Sequence, residues 1–468
     1  MTDNPDLIIL GSGSTAFAAA LRATSYGKRV LMFEKSVLGG TCINWGCVPS
    51  KTMIHAAQFM HETRLGTAIG LGIESCGVDY ERLCAHREQV VLKLRKERYL
   101  DVLQNASGLE LIKGAARFLD RHTVEANGQR YHADRFLIAV GGYPRIPTIA
   151  GIDQCDYLTS RSALLMKHLP ESMVIIGGGV IAVELGQMFQ RLGCRVTILE
   201  HGPRLLPAID HELAEALLDA LVTEGITFVP NVSFCSVNKV GNLTVVTADS
   251  GGRRNEYACD RLLLAVGTAP ATKGVGLKNA GVELDHKGFV TTDLQMRTST
   301  SGIWAAGDVT GKMMIATVGA REGIVAVDDM FNPGCGCAMD YLTAPMAIFT
   351  DPEVGIVGHT EESARQSGFD TISNSMPVSA IPKAHVTGHT KGVVKMVADR
   401  VTGRLLGVHL VAHRGAELIN EATLALHQRS TVSDLAATMH VYPSIGEGLK
   451  LCAQGFDRDI SRLSCCAE

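Results

Sequence analysis

Leu7-Ile8-Ile9-Leu10-Gly11-Ser12-Gly13-Ser14-Thr15-Ala16 and, later in the chain, Val174-Ile175-Ile176-Gly177-Gly178-Gly179-Val180-Ile181-Ala182 are two copies of one pattern. Each is an apolar strand running into G-x-G-x-x-A and then into a helix, expected from about Phe17 to Ser25 and onward to about Leu192. A second strand follows each helix, Val30-Leu31-Met32-Phe33-Glu34 and Val196-Thr197-Ile198-Leu199-Glu200, and closes on a Glu 23 residues after the first Gly. In this context the spacing has a physical meaning. Gly11 and Gly177 permit the tight turn, Gly13 and Gly179 let backbone approach a pyrophosphate at the helix N-terminus, and the small Ala16 and Ala182 let helix pack on strand. Glu34 and Glu200 stand where an acid accepts from a ribose hydroxyl. The repeat predicts an α/β chain with two Rossmann-like, dinucleotide-binding domains.

The rest of the chain fits around these units. Tyr80 to Asn105 reads as a long charged helix, and Phe136 to Gly142 matches Leu262 to Thr268 as an apolar strand ending in glycine, where chain passes between domains. Gly141 and Gly267 stand at those ends, and Gly302 to Asp308 is a further strand whose terminal Asp points into a ligand crevice. From Ala344 the pattern of strands and helices, such as Glu417 to Gln428, predicts a separate α+β domain. The expected boundaries are 1–145, 146–268, 269–343 and 344–468.

Composition narrows the function. Among 468 residues, Lys plus Arg is 44 against 48 for Asp plus Glu, a net charge of -4 that gives no basic surface for nucleic acid. The acidic N-terminus and the short apolar run behind it do not make a signal peptide, and no run reaches the length of a membrane span. A soluble, cytoplasmic protein is expected. Most of its 13 cysteines should then be buried thiols, including Cys76, Cys84, Cys155, Cys194, Cys235, Cys259 and Cys452.

Two pairs stand apart. Gly39-Gly40-Thr41-Cys42-Ile43-Asn44-Trp45-Gly46-Cys47-Val48-Pro49-Ser50-Lys51 follows the first unit directly. Cysteines five apart on a turn entering a helix can reach disulfide geometry, and the helix N-terminus favours thiolate in the reduced pair. No second Cys or His pair lies at zinc spacing. The other pair is Cys465-Cys466, almost at the end of the chain. A third, Cys335 and Cys337 in a Gly-rich loop, reads as an exposed turn with incidental thiols rather than an auxiliary metal site.

The Cys42–Cys47 segment resembles the redox-disulfide signature of the pyridine nucleotide-disulfide oxidoreductases, and the resemblance covers essentially the whole chain. It implies FAD at the first Gly motif, with Gly40 and Thr41 beside it, and NADPH or NADH at the second. It also implies a C-terminal dimerisation domain and a homodimer. Cys47 would lie against the flavin as the charge-transfer thiolate, with Cys42 the outer interchange thiol. Lys51, paired with Glu184, would sit near flavin N5, while Glu34 and Asp308 would hold the FAD ribose and ribitol.

The C-terminus distinguishes members of the family. Those acting on disulfides carry His-Pro followed four residues after the Pro by Glu; here Tyr442-Pro443-Ser444-Ile445-Gly446-Glu447 puts Tyr at the His position. Tyrosine, with an ordinary pKa near ~10, is a poor base for thiol chemistry at neutral pH. His440 is two residues out of register with Glu447. Vicinal Cys465 and Cys466 can both turn to a soft cation. Together these features resemble the mercuric reductases. That likeness implies Hg(II)-thiol complexes as substrate, received by Cys465 and Cys466 of one subunit and handed to Cys42 and Cys47 of the other, with Tyr442 and Tyr99 around the metal. Electrons from NAD(P)H, carried by FAD, would reduce the metal to Hg(0). The N-terminal metal-binding domain common in these enzymes is not expected, so delivery rests on the tail or a separate carrier. Glu200 should repel a 2′-phosphate and favour NADH, unless His201 and Arg204 offset it. The alternative is a disulfide reductase of dihydrolipoamide dehydrogenase or thioredoxin reductase type.

Overall fold

The computed structural model describes residues 4–73 and 77–460. Strand β1 (Leu7–Leu10) is buried along its whole length, and helix α1 (Ser14–Ser25) returns the chain to β2 (Val30–Glu34). The two strands pair in parallel with Leu7 opposite Val30. Such continuously apolar strands need cover on both faces, which a parallel sheet between helices supplies. The sheet runs in the order Ile303–Ala305, Phe136–Ile138, β1, β2, Leu109–Lys113. A second five-stranded parallel sheet repeats the arrangement: Thr227–Val229, Arg195–Leu199, Ser172–Ile176, Arg261–Leu264, Tyr157–Thr159.

In each sheet the chain leaves the central strand to one side and later returns on the other, which opens a crevice at the strands' C-terminal ends. The first glycine of each motif lies at that point. Gly11 has φ +115° and a Cβ there would sit 2.2 Å from the Ala139 carbonyl oxygen; Gly177 has φ +108° and would meet Ala265 O at 2.5 Å. Only glycine fits where two strand ends pass so closely. The two glycine-ended strands then lead into segments that pair with each other: Gly142–Pro144 and Thr268–Pro270 form a two-stranded antiparallel connector.

The C-terminal sheet is antiparallel, ordered Met346–Ile348, Glu353–Gly358, Leu405–Ala412, Val393–Asp399, Thr371–Pro377. Helix Gly415–His427 covers it through Ile419, Ala422, Ala425 and Leu426, giving the α+β unit its own core.

Two helices carry the redox segment. After the short α2 (Gly40–Trp45), α3 (Cys47–Ala68) runs for 22 residues and packs through Met53 and Ala57 into the same core as Ala182, Val183 and Leu185 of helix Val180–Leu192. Helix α4 (Tyr80–Arg95), N-capped by the Asp79 side chain, continues as a π-helical turn over Lys96–Leu100 and ends at Asn105. The length matches the expected charged helix; the π turn had no sequence signal. Among the described residues no helix is long and apolar enough to cross a membrane.

Most background cysteines are buried: Cys84, Cys155, Cys194, Cys259 and Cys452. Cys235 is not. It is half-buried on the outer strand Ser233–Val240 of a three-stranded sheet, where its Sγ lies 3.4 Å from Asp249 Oδ2. It falls at a register shift of this edge strand, between Phe234 and Ser236, which leaves the residue without a cross-strand partner and its thiol beside solvent and a carboxylate. Cys76 lies outside the described residues.

Candidate active site

A cleft of about 330 Å³ opens at the switch point of the first sheet, lined by Gly11, Gly13, Glu34, Gly40, Thr41, Cys42, Cys47, Gly141 and Asp308, among others. Its floor is a glycine cradle. A Cβ on Gly40, which has φ +65°, would lie 2.7 Å from Gly13 Cα, so bare backbone from the motif and from the redox turn meets there. Glu34 is aimed by its own loop, accepting from the Ser12 hydroxyl at 2.6 Å and the Ser36 N–H at 2.6 Å. Asp308 follows strand Ile303–Ala305, and burial raises its carboxyl above the ordinary value. A cradle without side chains, a fixed acid and a second enclosed acid fit a dinucleotide such as FAD.

Cys42 and Cys47 stand at one side of this cleft. Cys42 is in α2; Gly46 breaks the helix, and Cys47 begins α3 with its thiol open to the cleft. Their environments differ. The Cys42 thiol donates to Cys47, and with the charge of Lys51 this lowers Cys47 to about 7 against the cost of burial; the same bond, and then burial, pushes Cys42 up. The reduced pair therefore carries its negative charge on Cys47. Lys51 lies one helical turn further on, and its Nζ contacts Glu184 Oε2 at 2.7 Å. Glu184 Oε1 accepts from the Phe349 N–H at 2.9 Å, and the same ammonium lies 4.6 Å from the centre of the Phe349 ring.

Tyr99 sits in the π turn, against Gly39 and edge-on to Phe17 with ring centroids 4.8 Å apart. Burial, then the neighbouring Cys42 and Cys47, push its hydroxyl up to about 12, so it stays protonated beside the thiol pair. The π turn, a frequent device near functional sites, re-aims this side chain within an otherwise regular helix.

Around the second motif, Gly177, Gly179 and Ala182 lie at the start of helix Val180–Leu192, and Gly179 and Gly267 face open space. Glu200 accepts from the backbone N–H groups of Gly178 and, at 2.7 Å, Gly202. The two residues expected to offset it are engaged elsewhere: His201 Nδ1 lies 3.1 Å from Val232 O, and Arg204 donates to the carbonyls of Ile209 and Pro207.

Tyr442 is not among the residues lining the cleft; it is 47% exposed beside the more exposed Met439 and Val441. Glu447 begins helix Glu447–Gln454, with Oε2 buried and, among the described residues, without a hydrogen-bond partner, and burial raises its carboxyl. His440 instead contacts Glu421, Nε2 to Oε1 at 2.8 Å. Cys465 and Cys466 lie outside the described residues.

Several neighbours carried no motif. Asn44 donates to the carbonyls of Leu38 and Gly40 and accepts from Arg95 at 3.1 Å, tying the redox turn to α4. Arg161 lies over the Trp45 ring, 3.4 Å from its centre, at the cleft wall. Fully buried Glu322 accepts from the Gly307 N–H and the Tyr341 hydroxyl, holding the turn before Asp308. Only Asn44, within the redox segment, stood where a sequence signal was available.

The pyridine nucleotide-disulphide oxidoreductase profile matches residues 5–323, and its dimerisation domain matches residues 344–453. The chain is 40% identical to a mercuric reductase of Lysinibacillus sphaericus over 99% of its length and 85% of that protein, and 38% identical to one of Staphylococcus aureus over 99% and 84%. A dihydrolipoyl dehydrogenase of Thermus scotoductus is 36% identical over 97% of both chains. Among solved structures, the Cu(II) complex of the HOCl-induced flavoprotein disulfide reductase RclA from Escherichia coli superimposes with a TM-score of 0.86 at 30% identity, covering 97% of this chain and 99% of that one. A repeated dinucleotide fold, a redox thiol pair in its cleft and this span of similarity place the chain in the pyridine nucleotide-disulphide oxidoreductase family, among its mercuric reductases.

Proposed function

We propose that the protein reduces Hg(II), presented as a thiol complex, to Hg(0) with NAD(P)H. The observation that carries this reading over a disulfide substrate is the residue before Pro443. It is Tyr442, and the nearby imidazole, His440, is engaged with Glu421, while a buried oxygen of Glu447 has no hydrogen-bond partner among the described residues. Releasing a thiol from a disulfide calls for a positioned acid and base. Releasing Hg(0) does not, since the metal leaves once it is neutral.

FAD, when bound in the cleft, supplies a two-electron link between nicotinamide and the thiol pair. The chain's own residues do the rest. Cys47 as thiolate and Cys42 after losing its proton displace the exogenous thiols and hold Hg(II) between two sulfurs, the soft-ligand set this ion favours. Lys51 offsets the charge of Cys47, Glu184 positions Lys51, and the Tyr99 hydroxyl covers the pair. The balance is Hg(SR)₂ plus NAD(P)H giving Hg(0), NAD(P)⁺, two thiolates and a proton.

The dimerisation domain supports a homodimer. In that dimer the exposed Tyr442 would come to the cleft of the other subunit, and Cys465 and Cys466 would pass Hg(II) to Cys42 and Cys47 in trans. The same reading divides the chain at residues 145, 268 and 343, and places the protein in the cytoplasm. It assigns NADH at least parity with NADPH, a reading supported by the fixing of Glu200 on backbone N–H groups of the motif's loop and by the engagement of His201 and Arg204 with carbonyls. The test is NAD(P)H oxidation with HgCl₂ in excess thiol, compared with lipoamide, glutathione disulfide and thioredoxin. Turnover with Hg(II) is expected, and turnover confined to a disulfide would overturn the proposal.

A further inference from the structure

Away from the cleft, Asp351, His389 and His413 each bring one ligand atom to within 4.8 Å of the others. They arrive from separate segments. Asp351 follows strand Met346–Ile348, His389 follows the short helix Pro382–Thr387, and His413 comes directly after strand Leu405–Ala412. Gln187 holds the Asp351 backbone from both sides, accepting from its N–H at 2.8 Å and donating to its carbonyl at 2.7 Å. Asp351 Oδ2 accepts from Arg191 at 2.9 Å, while Oδ1 faces His413 Nδ1 at 3.8 Å. That separation is too long for a hydrogen bond. His413 Nδ1 is buried and has no hydrogen-bond partner among the described residues.

The His389 ring stacks on His413, with centroids 3.9 Å apart and planes 6° from parallel, and its Nε2 lies 3.3 Å from Glu62 Oε1. A carboxylate that takes one N–H of an imidazole leaves the other nitrogen as a lone-pair donor, the usual support of a metal-binding histidine. The charges also suit a cation. Arg191 is shared between Glu224, at 2.7 and 2.6 Å, and Asp351, at 2.9 Å, and Glu62 adds a further carboxylate beside His389.

We propose that Asp351, His389 and His413 form a binding site for one divalent transition-metal ion of the zinc or copper(II) kind. Two imidazoles and a carboxylate suit such ions and not the soft Hg(II), so this site is independent of the thiol pair. In a tetrahedral site with bonds of about 2.0–2.1 Å, ligand atoms stand about 3.4 Å apart, so binding would draw the three groups together and turn the two stacked rings out of parallel until their in-plane lone pairs converge on the ion. The ion would join α3, helix Val180–Leu192 and the C-terminal sheet, which meet here.

The experiment uses the FAD-loaded full-length protein with its thiols alkylated. Zn²⁺ is titrated against a chromophoric chelator, and the Cu²⁺-loaded protein is examined by electron paramagnetic resonance. One Zn²⁺ equivalent per chain is expected, weakened by about tenfold or more in His389→Ala and His413→Ala, with nitrogen couplings from two imidazoles in the Cu²⁺ spectrum. Equal Zn²⁺ binding by wild type and both variants would overturn the proposal. If a variant fails to fold, a wild-type Cu²⁺ spectrum without two imidazole nitrogens would do the same.

Discussion

The Lys51–Glu184 pair should tune Cys47 in opposite directions. Cys47 and Lys51 are one helical turn apart, so their charged atoms stand roughly 6 Å apart. At an effective dielectric of about 20, a unit charge at about 6 Å is worth about 2.8 kcal/mol, or about two pKa units. Glu184 lies one ion-pair length further, and at about 9 Å the same relation gives about 1.8 kcal/mol of opposite sign. The Lys51 side chain is 32% exposed, and solvent screening reduces both effects by roughly half. Lys51→Met should therefore raise Cys47 from about 7 by about one unit, and Glu184→Gln should lower it by about 0.7 unit. Because the Cys47 value is depressed below that of an ordinary thiol, its reactivity is present above about pH 7 and lost as pH falls through it. The assay is the rate of iodoacetamide modification at Cys47, read by peptide mass spectrometry across pH, in a Cys42→Ser background that keeps a hydroxyl donor. Flavin absorbance reports folding. If both substitutions move the midpoint the same way, or neither moves it, the electrostatic account of this site is wrong.

Further expectations follow from the two glycine motifs and the redox turn. Ala at Gly11 would place Cβ against Ala139 O, and at Gly177 against Ala265 O, so Gly11→Ala should lose bound flavin. Gly177→Ala should keep flavin but lose its reduction by NADH in stopped flow; the reverse pattern would show the two sites wrongly assigned. Glu200→Ala should raise kcat/KM for NADPH relative to NADH by about tenfold, the equivalent of about 1.4 kcal/mol of relieved repulsion. Asn44→Ala strands half-buried partners at Leu38, Gly40 and Arg95 and should cost about 1 kcal/mol, visible as a lower Tm with flavin bound. Replacing Cys465 and Cys466 together by Ala should reduce Hg(II) turnover most when the metal is offered on bulky thiols; an equal effect with small and bulky thiols would remove the tail from the delivery route.

What could be read in advance was local. The two glycine turns, their helices and their acids were legible because each step depends on residues within about 25 positions of one another. The extent of the charged helix to Asn105 was legible for the same reason, but its π turn was not, since nothing in Lys96 to Leu100 marks where a helix gains a residue per turn. The exposure of Cys235 was not legible, because it depends on lying in an outer strand, which pairing over a distance decides.

The amino-acid sequence by itself determined the two-dinucleotide architecture, the redox thiols and the replacement of the usual histidine by Tyr442, because these reside in the order of residues. Tertiary structure decided which thiol carries the charge, since that depends on Cys42, Lys51 and Glu184 converging on Cys47 from three elements. It also turned His201 and Arg204 onto nearby carbonyls, and it assembled Asp351, His389 and His413 from segments tens of residues apart. Electrostatic coupling and metal coordination act over a few ångströms in space whatever the separation along the chain, so only the folded molecule could set them.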